Sequence, residues 1–131
     1  MKTLIVDDEV FSREFVIALL RSIATCDQAG SAKEAIRKFK AALESDDPYD
    51  LIVMDIMMPG LGGHEAVETI RSIENAQKPG NPVSIVMLTG LNTAGDAMEA
   101  FCSAQSAAYL VKPVSKDDLH TTLSKLGLLW R

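Results

Sequence analysis

Residues 51–55 are Leu51-Ile52-Val53-Met54-Asp55, an unbroken apolar run that ends on a carboxylate. Three further runs have the same form: Leu4-Ile5-Val6 before Asp7-Asp8, Ile85-Val86-Met87-Leu88 before Thr89, and Tyr109-Leu110-Val111 before Lys112-Pro113. Apolar runs without polar alternation are typical of strands buried on both faces of a parallel sheet. Ligands of such sheets bind at the carboxyl ends of the strands. The sequence therefore predicts that three carboxylates, a hydroxyl and an ammonium meet at one edge.

The segments between these runs have helical spacing. Small and apolar residues at positions 11, 15, 18, 19 and 22 predict that one face of a first helix is buried. Ser31 with Glu34, and Ser115 with Asp118, have the spacing of helix N-terminal caps. Further helices are predicted after the break at residues 59–63 and over 93–103. Residues 25–30 have poor β propensity, and we expect a short edge strand there. Five βα units predict a parallel sheet with helices on both faces.

The composition narrows the class of protein. A chain of 131 residues that is 47% hydrophobic and 24% charged fits one globular domain. A net charge of −5 gives no basic footprint for nucleic acid. No apolar stretch has the length of a signal peptide core or a membrane span. Cys26 and Cys102 have no metal-ligand spacing, which favours reduced thiols in a cytoplasmic protein.

The predicted cluster of acids suits phosphoryl chemistry. Asp7, Asp8 and Asp55 would repel one another, and a hard cation such as Mg²⁺ removes that cost. A carboxylate such as Asp55 can accept a phosphoryl group, of which Mg²⁺ could hold one oxygen and Lys112 and Thr89 two others. The alternative for each acid alone is a turn residue or a helix cap. The proline after Lys112 also permits a cis peptide bond, which would direct the lysine side chain.

Taken together these motifs resemble a known family. The set comprises Asp7-Asp8, Asp55, Met58-Pro59-Gly60, Thr89-Gly90 and Lys112-Pro113. It resembles the receiver domain of two-component response regulators, in the stand-alone form similar to chemotaxis regulators. The resemblance covers residues 1–131. It implies a flavodoxin-like, doubly wound α/β fold, with a five-stranded parallel sheet in the order 2-1-3-4-5 and five helices.

The resemblance also implies roles for residues around a bound Mg²⁺. Asp55 would be the phosphoacceptor, and Asp8 and Asp55 would bind the metal directly. Asp7 would contribute mostly through water. The backbone carbonyl of Met57 would complete the protein ligands.

A switch pair follows from the same resemblance. The Thr89 hydroxyl would turn toward the phosphoryl group, and the Tyr109 ring would move inward. Met57 and Leu91, two residues after Asp55 and Thr89, offer no side-chain hydrogen bond to an attacking water. We therefore expect an aspartyl phosphate that hydrolyses slowly, and a half-life of seconds in the purified protein would contradict this.

The implied function is that of a single-domain response regulator. It would take a phosphoryl group from a histidine kinase or histidine phosphotransfer protein and signal to a downstream protein through a changed surface. It would assist its own phosphorylation and dephosphorylation without being an enzyme. We expect a monomer or a weak phosphorylation-dependent dimer.

Three alternatives remain open at the level of sequence. A phosphatase with an aspartyl-phosphate intermediate normally carries a second acid where this chain has Met57. A phosphorylation-independent interaction module would not need the full acidic set. The chain could also be a receiver fragment cut from a longer regulator.

Overall fold

A computed structural model describes residues 1–56, 62–77, 81–90 and 95–129. It contains five strands: β1 (Lys2–Val6), β2 (Thr25–Ala29), β3 (Leu51–Asp55), β4 (Ser84–Thr89) and β5 (Ala108–Val111). The helices are α1 (Val10–Leu20), α2 (Ala32–Glu44), α3 (Gly63–Gln77), α4 (Asp96–Ala104) and α5 (Lys116–Lys125). Strands and helices alternate along the chain, as the sequence predicts. None of the described helices combines the length and apolar character needed to cross a bilayer.

All five strands form one parallel sheet in the order β2-β1-β3-β4-β5. This confirms the predicted fold class and strand order. β3, whose five residues are all buried, lies at the centre. β2 is an edge strand with three of its five residues exposed, which explains why its sequence lacks the apolar run of the others.

Helices cover both faces of the sheet, and alternate strand residues supply two cores. On one face Leu4, Ile52 and Met87 pack with residues of α2, α3 and α4. On the other face Ile5 and Val53 pack with residues of α1 and α5. The carboxyl ends of all strands therefore meet at an edge that borders both layers.

The buried face of α1 differs from the prediction. Val16 and Leu20 are its buried residues, whereas Phe11, Phe15 and Ala18 are exposed. Both sets recur at helical spacing, so periodicity alone does not select between them. Tertiary packing selects the set that meets the sheet, and Val16 and Leu20 join the core formed with α5. Two aromatic rings are left on the surface as a result.

The predicted helix caps are present. The Ser31 and Ser115 hydroxyls accept hydrogen bonds from the amides of Glu34 and Asp118, three residues on. Gly127 follows α5 with a φ of +79°, the left-handed conformation that ends many helices. α4 begins at Asp96, and the start predicted at residue 93 lies outside the described residues.

Candidate functional site

The ends of four strands bring the predicted site residues together. Asp7 directly follows β1, Asp55 is the last residue of β3, and Thr89 is the last residue of β4. Lys112 directly follows β5. The strands are in parallel register, with Asp55 opposite Leu88 and Thr89 opposite Val111. The convergence predicted from the sequence is therefore observed for these residues.

Asp7, Asp8 and Asp55 form a cluster of acids. One carboxylate oxygen from each lies within 4.8 Å of the others. Asp7 and Asp55 are only 3% and 6% exposed, whereas Asp8 is open to solvent. Burial raises the pKa of Asp7, and the neighbouring Asp55 charge raises it further. An oxygen-rich, partly dehydrated set of this kind fits a hard divalent cation such as Mg²⁺, which offsets the repulsion.

Lys112 supplies positive charge at the same edge. Its Nζ lies 3.0 Å from Asp55 Oδ2, and the lysine is more exposed than the aspartate. The Lys112 amide donates to the Thr89 carbonyl oxygen at 2.7 Å, so the backbone ladder continues past β5. The peptide bond between Lys112 and Pro113 is cis, as the sequence permits.

Thr89 and Tyr109 lie on the same face of the sheet. Tyr109 is opposite Met87 in the register, two residues before the level of Thr89. Its ring is half-buried against the core beneath α2, α3 and α4. The Thr89 hydroxyl is fully buried and donates to the Gly90 carbonyl oxygen at 3.3 Å. The two residues are thus placed as diagonal neighbours on adjacent strands.

Asp7 is held by a set of contacts that the sequence did not reveal. Its amide donates to the Ala29 carbonyl oxygen at 3.1 Å, and its Oδ1 accepts from the Glu9 amide at 3.0 Å. Arg13 Nη1 donates to the Asp7 carbonyl oxygen at 2.7 Å. An arginine six residues after an acid near the start of a helix is too common a pattern to signal this contact.

Gly63 is a second residue whose role sequence reasoning missed. A Cβ at this position would lie 2.8 Å from Ile56 Cα and 3.0 Å from the Asp55 carbonyl oxygen. The first turn of α3 therefore packs directly against the backbone of the candidate phosphoacceptor. The sequence alone places Gly63 in the break at residues 59–63, as a loop glycine before a helix.

Several predicted positions fall outside the described residues. They are Met57, the motif Met58-Pro59-Gly60, and Leu91. The carbonyl ligand predicted at Met57 and the effect of Leu91 on hydrolysis stay predictions.

Comparison with known proteins identifies the family. A family model for the response regulator receiver domain matches residues 3–124. The chain belongs to this family. Receiver domains are the phosphoacceptor signalling modules of two-component systems and are in general not catalytic.

Individual relatives agree with this assignment. The two-component response regulator ORR41 of Oryza sativa subsp. japonica is 30% identical over 131 residues, covering 98% of this receiver chain and 95% of the rice protein. Chemotaxis protein CheY4 of Vibrio cholerae superposes with a TM-score of 0.75 at 27% identity, covering 95% of this chain and 96% of that one. A co-crystal structure of the Saccharomyces cerevisiae phosphotransfer protein Ypd1 with the receiver domain of Ssk1 gives a TM-score of 0.77 at 27% identity. The match covers 97% of this chain and 88% of that one.

Other relatives are much longer than this receiver domain. Histidine protein kinase 1 of Candida albicans is 26% identical over 128 residues, which are 97% of this chain but 5% of the kinase. The chain therefore spans a small part of some relatives and nearly all of others. What the longer proteins do as wholes does not transfer to it.

Proposed function

We propose that this receiver domain accepts a phosphoryl group on Asp55 in a reaction that depends on Mg²⁺. The observation that supports this is the juxtaposition of Asp55 with two further carboxylates and with the Lys112 ammonium 3.0 Å away. Asp8 and Asp55 would bind the metal directly, and Asp7 would act mostly through water. Mg²⁺, when bound, neutralises the negative charge that would otherwise repel an incoming phosphoryl group.

The transfer itself depends more on positioning and charge neutralisation than on covalent chemistry by the protein. An Asp55 oxygen attacks phosphorus, and the bond between phosphorus and a histidine nitrogen of the donor breaks. The bonding electrons stay on the imidazole, which takes up a proton. Lys112, already beside Asp55, would then pair with a phosphoryl oxygen. The Thr89 hydroxyl would bind another oxygen, and Tyr109 on the same sheet face would follow it inward.

The donor must bring its phosphohistidine to this edge, which limits where it can dock. A pocket of about 500 Å³ borders the site and is lined by Asp7 and Lys112 together with α1 and the segment after β5. Its lining includes Phe11 and Phe15, which are 84% and 52% exposed. Exposed aromatic rings of this kind are typical anchors for a protein partner. We propose that a histidine kinase or histidine phosphotransfer protein docks on this face.

The test of the phosphoacceptor is the intact mass of the protein after incubation with acetyl phosphate and Mg²⁺. Wild type should gain one phosphoryl group, roughly 80 Da, and a chelator should abolish the gain. Asp55→Asn should not gain mass, whereas Asp117→Asn, a matched change at an exposed acid of α5, should behave as wild type. A folded wild-type protein that gains no mass, or an Asp55→Asn variant that gains it, would contradict the proposal.

A further inference from the structure

Arg13 links the metal-binding edge to the neighbouring edge strand. It lies one turn into α1, and its Nη1 donates to the Asp7 carbonyl oxygen at 2.7 Å. Its Nε donates to Gln28 Oε1 on β2 at 2.9 Å. The planar guanidinium holds both acceptors in one fixed geometry, which a flexible ammonium does not reproduce.

The carbonyl that Arg13 binds belongs to the peptide group between two acids of the cluster. Because a peptide group is planar, fixing the direction of the Asp7 carbonyl also fixes where Asp8 begins. Asp7 has further supports from the amide of Glu9 and the carbonyl of Ala29. The Asp8 side chain makes no hydrogen bond to any other residue in the described part of the chain, so its position depends on its backbone.

Arg13 does not work by neutralising the cluster. Across the described residues, no carboxylate oxygen forms an ion pair with its guanidinium within 4.0 Å. Both of its acceptors are neutral, a backbone carbonyl and a side-chain amide. A cation placed near a cation site by charge alone would weaken metal binding.

We propose that Arg13 is a positioning residue for divalent-cation binding, which holds the Asp7–Asp8 peptide group so that both acids face Asp55. The inference rests on the proposed metal site. It predicts that losing the guanidinium weakens metal binding, whereas a purely electrostatic role predicts tighter binding. The two effects have opposite signs, so one affinity measurement separates them.

The experiment is a titration of Mn²⁺ followed by electron paramagnetic resonance, with Mg²⁺ as competitor, at neutral pH and constant ionic strength. Arg13→Met should bind Mn²⁺ about 10-fold more weakly than wild type, as is common when support for a ligand is lost. Arg13→Lys should recover part of this, because one ammonium can reach one acceptor. Arg21→Met, an equal charge change at the exposed end of the same helix, should bind as wild type or slightly tighter.

Thermal melting of each metal-free variant shows whether it is folded during the titration. If Arg13→Met is not folded, the comparison of Arg13→Lys with wild type decides, and weaker Mn²⁺ binding is expected. Equal or tighter binding by a folded Arg13 variant, or equal weakening by Arg21→Met, would overturn the positioning role and leave the metal site intact. Absence of Mn²⁺ binding by wild type would overturn the proposed metal site and this inference together.

Discussion

Asp7 illustrates how one buried acid links stability to metal binding. Burial, and then the charges of Asp55 and Asp8, raise its pKa above the ordinary value of 3.8. The folded protein therefore holds the Asp7 proton more tightly than the unfolded chain does. Its contribution to stability is fully present below the unfolded-state pKa and is lost as the pH rises through the folded-state value. At neutral pH, without metal, the ionised Asp7 destabilises the fold.

Asp7→Asn should consequently stabilise the metal-free protein at neutral pH, by on the order of 1 kcal/mol. The Asn carbonyl oxygen can still accept from the Glu9 amide, so the change removes the charge without removing that hydrogen bond. The gain should shrink as the pH falls through the raised pKa of Asp7, because the wild-type acid then takes up its proton. Urea unfolding in the presence of a chelator, at a series of pH values from neutral downward, measures the difference in unfolding free energy between the variant and wild type. Saturating Mg²⁺ should stabilise wild type more than the variant. An Asn variant that is less stable than wild type at neutral pH without metal would refute this explanation.

At the scale of the elements, the start of α3 lies close against the backbone at the end of β3. Gly→Ala in a helix usually stabilises a protein by about 0.5–1 kcal/mol. At Gly63 the added methyl group would press on the backbone of Ile56 and Asp55. We expect Gly63→Ala to lose about 1–3 kcal/mol of stability, the usual cost of overpacking, and to slow phosphorylation by acetyl phosphate.

Gly62→Ala is the matched control for this prediction. The added methyl group would meet only the Glu65 carboxyl group, at 3.7 Å, which is an ordinary contact with a flexible side chain. It should change stability by less than about 0.5 kcal/mol. Thermal melting and the phosphorylation rate of the two variants are compared side by side. Gly63→Ala with the stability and rate of Gly62→Ala would show that the close approach is not a constraint.

The elements also show what the sequence can predict and what it cannot. The strand ends carrying Asp55 and Lys112 are predictable because buried parallel strands have unbroken apolar runs and share one ligand-binding edge. The ion pair of Arg71 and Glu74, largely buried and 2.7 Å long, is not predictable from the sequence. Its spacing is that of an ordinary surface pair, but in the structure Glu74 is buried and also accepts a hydrogen bond from the Val83 amide. Tertiary contacts of this kind leave no local pattern.

The same limit applies to Arg71 itself and to the exposed face of α1. The Arg71 guanidinium donates to the carbonyl oxygens of Gln105 and Ser106, over thirty residues away in the chain. These contacts join α3 to the connection between α4 and β5. For α1, two apolar stripes compete for the sheet, and the packing of the whole domain chooses between them. The roles of Arg13 and Gly63 were not predicted for the same reason. Arg13 contacts the backbone of Asp7, and Gly63 lies against the backbone of Asp55 and Ile56, and neither contact leaves a pattern in the local sequence.

In the whole molecule, the proposed donor-docking surface and the proposed switch residue Tyr109 lie on opposite layers of helices. The pocket beside Asp7 and Lys112 opens on the layer of α1 and α5. Tyr109 packs against the opposite layer, beneath α2, α3 and α4. A phosphoryl group delivered from the first side would therefore act on residues of the second. A phosphoryl group can shift the balance between two conformations only by its preference for one of them. In the proposed arrangement it would contact residues that border both layers of helices.

Because docking is assigned to the layer of α1 and α5, we predict that mutations on its surface slow transfer from a protein donor without changing the phosphoryl chemistry at Asp55. The double variant Phe11→Ser and Phe15→Ser removes the two exposed rings without touching the acids or Lys112. Buried aromatic anchors of an interface are each worth about 2 kcal/mol. We therefore expect kcat/KM for transfer from a labelled phosphohistidine protein to fall by about 10-fold or more. The donor used is the histidine kinase or phosphotransfer protein that transfers fastest to wild type.

Phosphorylation by acetyl phosphate tests the other half of the prediction, because this small donor needs no docking surface. Its rate should be the same for the double variant and for wild type within about twofold. Ala18→Ser, at an exposed position farther along the same helix, should leave both rates unchanged. If the double variant loses both rates equally, the rings support the site itself rather than a partner. If it loses neither, Phe11 and Phe15 are not anchors for the protein donor, and the proposed docking face would be contradicted.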